Sequence, residues 1–387
     1  MKLAGRIVSL AGFILLVSFF AVPLGLFLLF GENGEWLPVL IGGFLAFIVI
    51  VGMAIFNVRR RSVFYGIPLV IFFVGCVVAI PGFYKLTKPV VETADVDLSE
   101  YAPNTSGTKA VKLEQSASFL IEKDLPKLDG ATALYPVYAA FVQAVYPEKY
   151  YDPYDSEVMS NRTGQAYENL LDGQVDIIFA LGPSEAQRKK AEERGKELIL
   201  TPIGKEAFVF FVNKENPVKG LTQEQLRDIY SGKLTNWKEV GGNRAKIRAF
   251  QRPADSGSQT ALEEFMGDVP IMKAPTEEVA DLMSGIITYV ADYRNYDGAI
   301  GFTFRFYSES MIGNSDIRLL AVDGADPTVE TVRSGAYPIT RELYAITAGS
   351  ENPNVKAFID WILSDEGQEL VEKTGYVGMD SDKDETK

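Results

Sequence analysis

Three apolar runs crowd into the first 83 residues, and they constrain this chain more than anything that follows. Ile7 to Phe30, Trp36 to Phe56 and Val63 to Phe83 are each long enough to cross a bilayer as a helix. The first is too long for a secretory-signal core and lacks a small-residue cleavage site, so it reads as a retained span. Lys2 and Arg6 precede it, Glu32 and Glu35 follow it, and Arg59, Arg60 and Arg61 separate the second run from the third. Basic loops stay on the cytoplasmic side, which puts the N-terminus and the Arg59–Arg61 loop inside and everything after Phe83 outside. A competing reading takes Arg59–Arg61 and Phe73-Val74-Gly75-Cys76 as a lipoprotein signal. Phe73 fits its aliphatic position poorly and the residues after Cys76 stay apolar, which favours a cysteine inside a span.

Of the net charge of −13, the first 83 residues contribute +3, so the outer region carries −16. Such an acidic body is soluble, gives no long-range steering to anions and lacks the basic footprint that nucleic acid needs. There is no histidine, which removes Ser-His-Asp, Cys-His and most zinc chemistry at once. The one cysteine, Cys76, excludes an internal disulfide. No spacing calls for a Ser-Lys pair or paired catalytic carboxylates, so no catalytic residue, metal or cofactor is expected.

The outer region begins with a polar linker, 84–108, and then alternates strands with helices. Glu157–Ser160, Val175–Leu181, Glu197–Pro202, Ala207–Asn213, Lys246–Gln251, Gly298–Phe304, Arg318–Val322 and Tyr337–Ile346 read as strands. Thr222-Gln223-Glu224-Gln225 is a capping-box helix start, Gly182-Pro183-Ser184 opens another helix, and Gly285–Asp292 reads as helical. One last helix is expected from about Pro353 to Lys373, and Asp380–Lys387 is a frayed tail. This alternation predicts α/β sheets with helices on both faces. Ligands in such sheets sit beyond the carboxyl ends of strands.

One stretch has the chemistry for that position. Phe250-Gln251-Arg252-Pro253-Ala254-Asp255-Ser256-Gly257-Ser258-Gln259-Thr260 reads as a strand end, a polar turn and a helix start. The first N–H groups of a helix have no internal partner and, with the helix dipole, favour an oxyanion. Ser256 and Ser258 add hydroxyls, Gly257 permits close approach, and Arg252 can add a forked guanidinium. By itself Ser-Gly-Ser is better explained by Ser256 simply capping a helix. Two further turns, Gly130–Tyr135 and Asn161–Gly164, also put small or hydroxyl residues at helix starts, and three together go beyond chance capping. Gln259 reads either as an anion donor or as an exposed first-turn residue.

With these turns in place, residues from about Lys109 to Gly378 resemble the type II periplasmic solute-binding fold, and within it the phosphate-binding proteins of Pst-type ABC transporters. The resemblance rests on Gly130-Ala131-Thr132, Thr163-Gly164, Arg252 with Ser256-Gly257-Ser258, Asn236-Trp237, Gly298–Phe302 and Tyr337-Pro338-Ile339-Thr340. It implies two lobes, 109–204 plus 338–380 and 205–337, joined by hinge crossover strands Ala207–Asn213 and Ile339–Ile346. It also implies an anion held between them by Thr132, Ala133, Thr163, Arg252, Ser256, Gly257 and Ser258. The aspartate with which the family accepts a proton from phosphate falls here on Leu181.

The whole therefore reads as a two-lobed α/β binding protein behind three transmembrane helices (1–83), with a flexible tail, 381–387. Its expected role is that of a multi-pass, membrane-anchored extracellular receptor for inorganic phosphate or a similar oxyanion, serving ABC permease subunits. The alternative is a sensor or regulatory subunit that uses the same cleft, or a vestigial one, to signal to a membrane partner. An enzyme or an assembly module is the more distant reading.

Overall fold

The computed structural model describes residues 3–30, 37–58, 61–86, 96–274, 287 and 298–379. The chain divides into two compact units, Met1–Val90 and Val91–Lys387.

The first unit is helical: α1 (Leu3–Phe30), α2 (Leu37–Ile55) and α3 (Arg61–Leu86). Among the described residues, only α2 is long and apolar enough to cross a membrane, and Leu3–Leu15 and Phe64–Val78 are shorter apolar helical stretches. Three spans thus find one qualifying helix. Glu32, Glu35, Arg59 and Arg60 lie outside the described residues. α2 and α3 approach closely at two glycines. A Cβ placed on Gly42 would lie 2.9 Å from the Gly75 Cα, and one on Gly75 would lie 2.8 Å from the Pro38 carbonyl oxygen. Backbones this near require small residues at the crossing, the usual way for apolar helices to associate where no hydrophobic effect drives them together.

The second unit is built on a seven-stranded sheet. Its elements run β1 (Leu128–Gly130), α4 (Tyr135–Val145), α5 (Arg162–Leu171), β2 (Ile177–Ala180), α6 (Glu185–Glu193), β3 (Ile199–Asn213), β4 (Gly220–Leu221), α7 (Gln223–Tyr230), β5 (Arg248–Ala249) and α8 (Gly257–Met266). There follow β6 (Ala299–Phe304), β7 (Ile317–Leu319), β8 (Ala321–Val322), α9 (Val329–Arg333), β9 (Thr340–Thr347), α10 (Val355–Ile362) and α11 (Asp365–Thr374). The strand order is β1-β2-β9-β3-β6-β5, with β7 also on β3, and β4 and β8 form a separate parallel pair.

β3 organises this sheet. The two strands expected at Glu197–Pro202 and Ala207–Asn213 are one strand of 15 residues. Its first part pairs antiparallel with β9, from Ile199 against Thr347 to Ala207 against Thr340. Its second part pairs with β6, from Phe208 against Phe304 to Val212 against Ile300. The register slips between Pro202 and Gly204. Proline has no N–H for the ladder there, and a Cβ on Gly204 would crowd Val377 and Val371 at 3.0 and 3.1 Å. Beyond the slip every residue from Glu206 to Asn213 is buried, as expected of a strand covered on both faces.

The helix starts at Ser184 and Thr222 form as read, each with a complete capping box. Three readings are corrected. Glu157–Ser160 is no strand; only Val158 bridges to Leu128. The expected last helix is two, because the chain turns at Leu363-Ser364 and restarts at Asp365. Gly367 packs so tightly under that turn that a Cβ would fall 2.3 Å from the Ile362 carbonyl oxygen. Finally, the end of the polar linker is not loose: Leu98, Tyr101 and Ala102 are buried in the core. The helix expected at Gly285–Asp292 lies outside the described residues apart from Ile287.

Candidate anion-binding site

Two helix starts meet above the sheet. A Cβ on Gly257, the first residue of α8, would lie 3.0 Å from Thr163 Oγ1 at the start of α5. One on Gly164 would lie 3.5 Å from the Asp255 Cβ. Each helix has ten residues, so each brings a full dipole and its first N–H groups to the same place.

The starts are built differently. α8 is capped by its own turn: Ser256 Oγ accepts from the Gln259 N–H at 3.2 Å, and Gln259 Oε1 accepts from the Arg252 N–H at 3.0 Å. Gln259 is buried and fixes this turn, so it is neither an exposed residue nor shown as an anion donor. α5 has no side-chain cap. Its leading residue, Asn161, turns instead to Asp129 at the end of β1. Asp129 Oδ1 accepts from the Gly130 and Asn161 N–H groups, each at 2.7 Å, and Oδ2 accepts from Asn161 Nδ2 at 3.0 Å and Asn169 Nδ2 at 2.7 Å. This fully buried carboxylate is thus satisfied by four donors. The next residue, Arg162, sits at φ 67°, a left-handed conformation that costs an L-residue about 1–2 kcal/mol. The strain is held by the Asp129 anchor on one side and the helix on the other, and it turns Thr163 towards α8.

Between the two starts lies a cavity. Ala133, Thr163, Gly257 and Ser258 line it, together with Leu181, Glu206, Leu343, Tyr307 and Tyr376. Four of the seven sequence-predicted residues are therefore brought together. Thr132, Arg252 and Ser256 are not in the lining: Thr132 is half-buried in a 3-10 turn, Arg252 is buried in the turn that precedes α8, and Ser256 caps. Ser258 Oγ is fully buried and makes no hydrogen bond among the described residues. A buried hydroxyl without a partner costs about 1–3 kcal/mol, which points to a ligand that supplies one.

Leu181 does line the cavity, and its carbonyl accepts from Tyr167 Oη at 2.7 Å. The acidic group present is one the motifs did not suggest. Glu206, on β3, is 1% exposed. Its Oε1 accepts from the Ala207 N–H at 2.8 Å and lies 3.3 Å from Arg305 Nε, and its Oε2 accepts from the Phe306 N–H at 3.2 Å. Burial pushes this carboxyl up to about 7, against the opposing pull of Arg305 and the two N–H groups. Glu206 stands immediately before the apolar run Ala207–Asn213, and a charged residue opening a run buried on both faces was the signal that could have found it.

Residues 123–366, more than half of the chain, match the PBP superfamily domain. The chain is 29% identical over 266 residues to the phosphate-binding protein PstS of Staphylococcus epidermidis, covering 66% of this chain and 79% of that protein. It is 26% identical over 276 residues to the PstS of Bacillus subtilis, covering 70% and 85%. Among solved structures it resembles a Clostridium perfringens protein assigned as a phosphate ABC transporter substrate-binding protein and crystallised with bound phosphate. That match has a TM-score of 0.51 and 27% identity, and covers 68% of this chain and all of that one. By this domain, and by the geometry of β3 and the two helix starts, the chain belongs to the PBP superfamily, with a PstS-like binding-protein fold.

Proposed function

We propose that this protein is a membrane-anchored extracellular receptor for a small oxyanion, inorganic phosphate first, that delivers it to ABC-type permease subunits. The observation that carries this reading is the meeting of two helix N-termini around the unpartnered Ser258 hydroxyl. That arrangement suits a tetrahedral anion and offers no nucleophile–base pair for chemistry. The named relatives and the bound phosphate of the Clostridium protein support the choice of anion. In this reading Ala133, Thr163, Gly257 and Ser258, which line the cavity, hold the anion, and Thr132, Arg252 and Ser256 join them when the lobes close. The lobes are 109–204 plus 338–380 and 205–337, and they close about β3 and β9. Residues 1–83 anchor the body through three spans, with the N-terminus cytoplasmic. The qualifying apolarity of α2 and the close α2–α3 crossing support the anchor.

The test is titration calorimetry of phosphate into the full chain in detergent. Saturable binding that Ser258→Ala weakens at least tenfold is expected. A folded sample that gives no heat with phosphate or any related oxyanion overturns the receptor reading.

A further inference from the structure

Leu181 stands where the two helix starts meet. The Cβ on Gly257 that would lie 3.0 Å from Thr163 Oγ1 would also lie 3.7 Å from Leu181 Cδ1. A methyl group therefore borders the same space as the Thr163 and Ser258 hydroxyls and the first N–H groups of α5 and α8. The wall continues in side chains without a hydrogen-bonding group, Leu134, Phe304 and Leu343, and its accessible surface is almost wholly apolar. Two of the polar side chains in that wall are engaged elsewhere. Tyr376 Oη donates to the Ala133 carbonyl oxygen. Glu206 accepts from the Ala207 and Phe306 N–H groups and stands 3.3 Å from Arg305 Nε.

Resting on the oxyanion-site reading, we propose that this cavity takes tetrahedral anions with one apolar corner no less tightly than phosphate: phosphite and alkylphosphonates with a small alkyl group, in which hydrogen or carbon replaces one oxygen of phosphate. The donors lie on one side, at the helix starts, and serve the oxygens that face them. Phosphate is polar at all four corners, so an oxygen turned towards Leu181 is a buried acceptor without a donor, which weakens binding. A methyl group at that corner forfeits no hydrogen bond and gains apolar contact with Leu181 and its neighbours. The other three oxygens keep the hydroxyls and N–H groups they would have had. Leu181 is thus the specificity-determining residue, by what its side chain fails to offer an oxygen.

Titration calorimetry with phosphate and methylphosphonate on the full chain in detergent tests this. In the wild type, methylphosphonate should bind at least as tightly as phosphate. Leu181→Asn, whose amide can donate to an oxygen at that corner, should shift the ratio of the two affinities at least tenfold towards phosphate. Tyr307→Phe removes the remaining polar side-chain group of the wall and should leave the ratio within about threefold. Three results overturn the assignment and leave the receptor reading standing: a wild type that prefers phosphate, a folded Leu181→Asn whose ratio does not move towards phosphate, or a larger change of ratio in Tyr307→Phe. A folded wild type that binds neither anion overturns both.

Discussion

The two helix starts at the cavity do the same job by opposite means. α8 is closed locally: Ser256 caps it and Gln259 ties the preceding turn to it, within eight residues of chain. α5 is left uncapped, and its leading Asn161 is held by Asp129 from another element 32 residues away. The self-capped start is closed by residues of its own turn. The uncapped one leaves its first N–H groups without a side-chain cap and depends on β1 for its position.

That contrast can be broken in order of expected effect. Asp129→Ala should cost about 3 kcal/mol or more, since it leaves four donors without their acceptor, and should weaken anion binding as α5 loses its aim. Thermal unfolding and calorimetry measure both, and a loss near 1 kcal/mol would show the anchor to be dispensable. Glu206 sharpens the comparison from the sheet side. Burial raises its folded pKa to about 7, above the ordinary glutamate value, so the folded state holds its proton longer. Its stabilising share is full below about pH 4.5 and is lost as pH rises through 7, about 3 kcal/mol in all. Denaturant melts of the wild type and Glu206→Gln across that window should diverge accordingly. Gly257→Ala places a methyl 3.0 Å from Thr163 Oγ1 and should cost roughly 1–3 kcal/mol, with weaker phosphate binding. Ser256→Ala removes a local cap and should cost about 1 kcal/mol, well short of the Asp129 variant. Arg162→Gly relieves the left-handed residue and should be neutral to about 1 kcal/mol stabilising; a clear loss would mean that the arginine side chain carries the turn.

The same division separates what could be read from the sequence from what could not. Caps and turns are local, so Ser184, Thr222 and Ser256 were legible from residue type and spacing, whereas the pairing of Thr163 with Gly257 and Ser258 was expected only from the family resemblance. Partners distant in sequence leave no such pattern. Asp129 stands just before the Gly130–Tyr135 turn with nothing local to mark it, yet its carboxylate organises α5 from across the fold. Glu206 was passed over because it stands just before the apolar run Ala207–Asn213, and Gln259 stayed open between an anion donor and an exposed residue because its partner is a backbone N–H seven residues back. The split at Leu363-Ser364 escaped because the apolar spacing carries through it, and only the contact of Gly367 with Ile362 reveals the turn.

β3 also sets the order in which this protein can be made. Its first residue pairs with Thr347, and its second half waits for β6 at 299–304. A chain emerging N-terminus first therefore carries a long, largely apolar strand whose two neighbours are not yet synthesised. Contacts so far apart in sequence close slowly, and an unpaired strand invites wrong pairing meanwhile. The acidic body must therefore stay open, and needs shielding, until nearly the whole chain has been delivered.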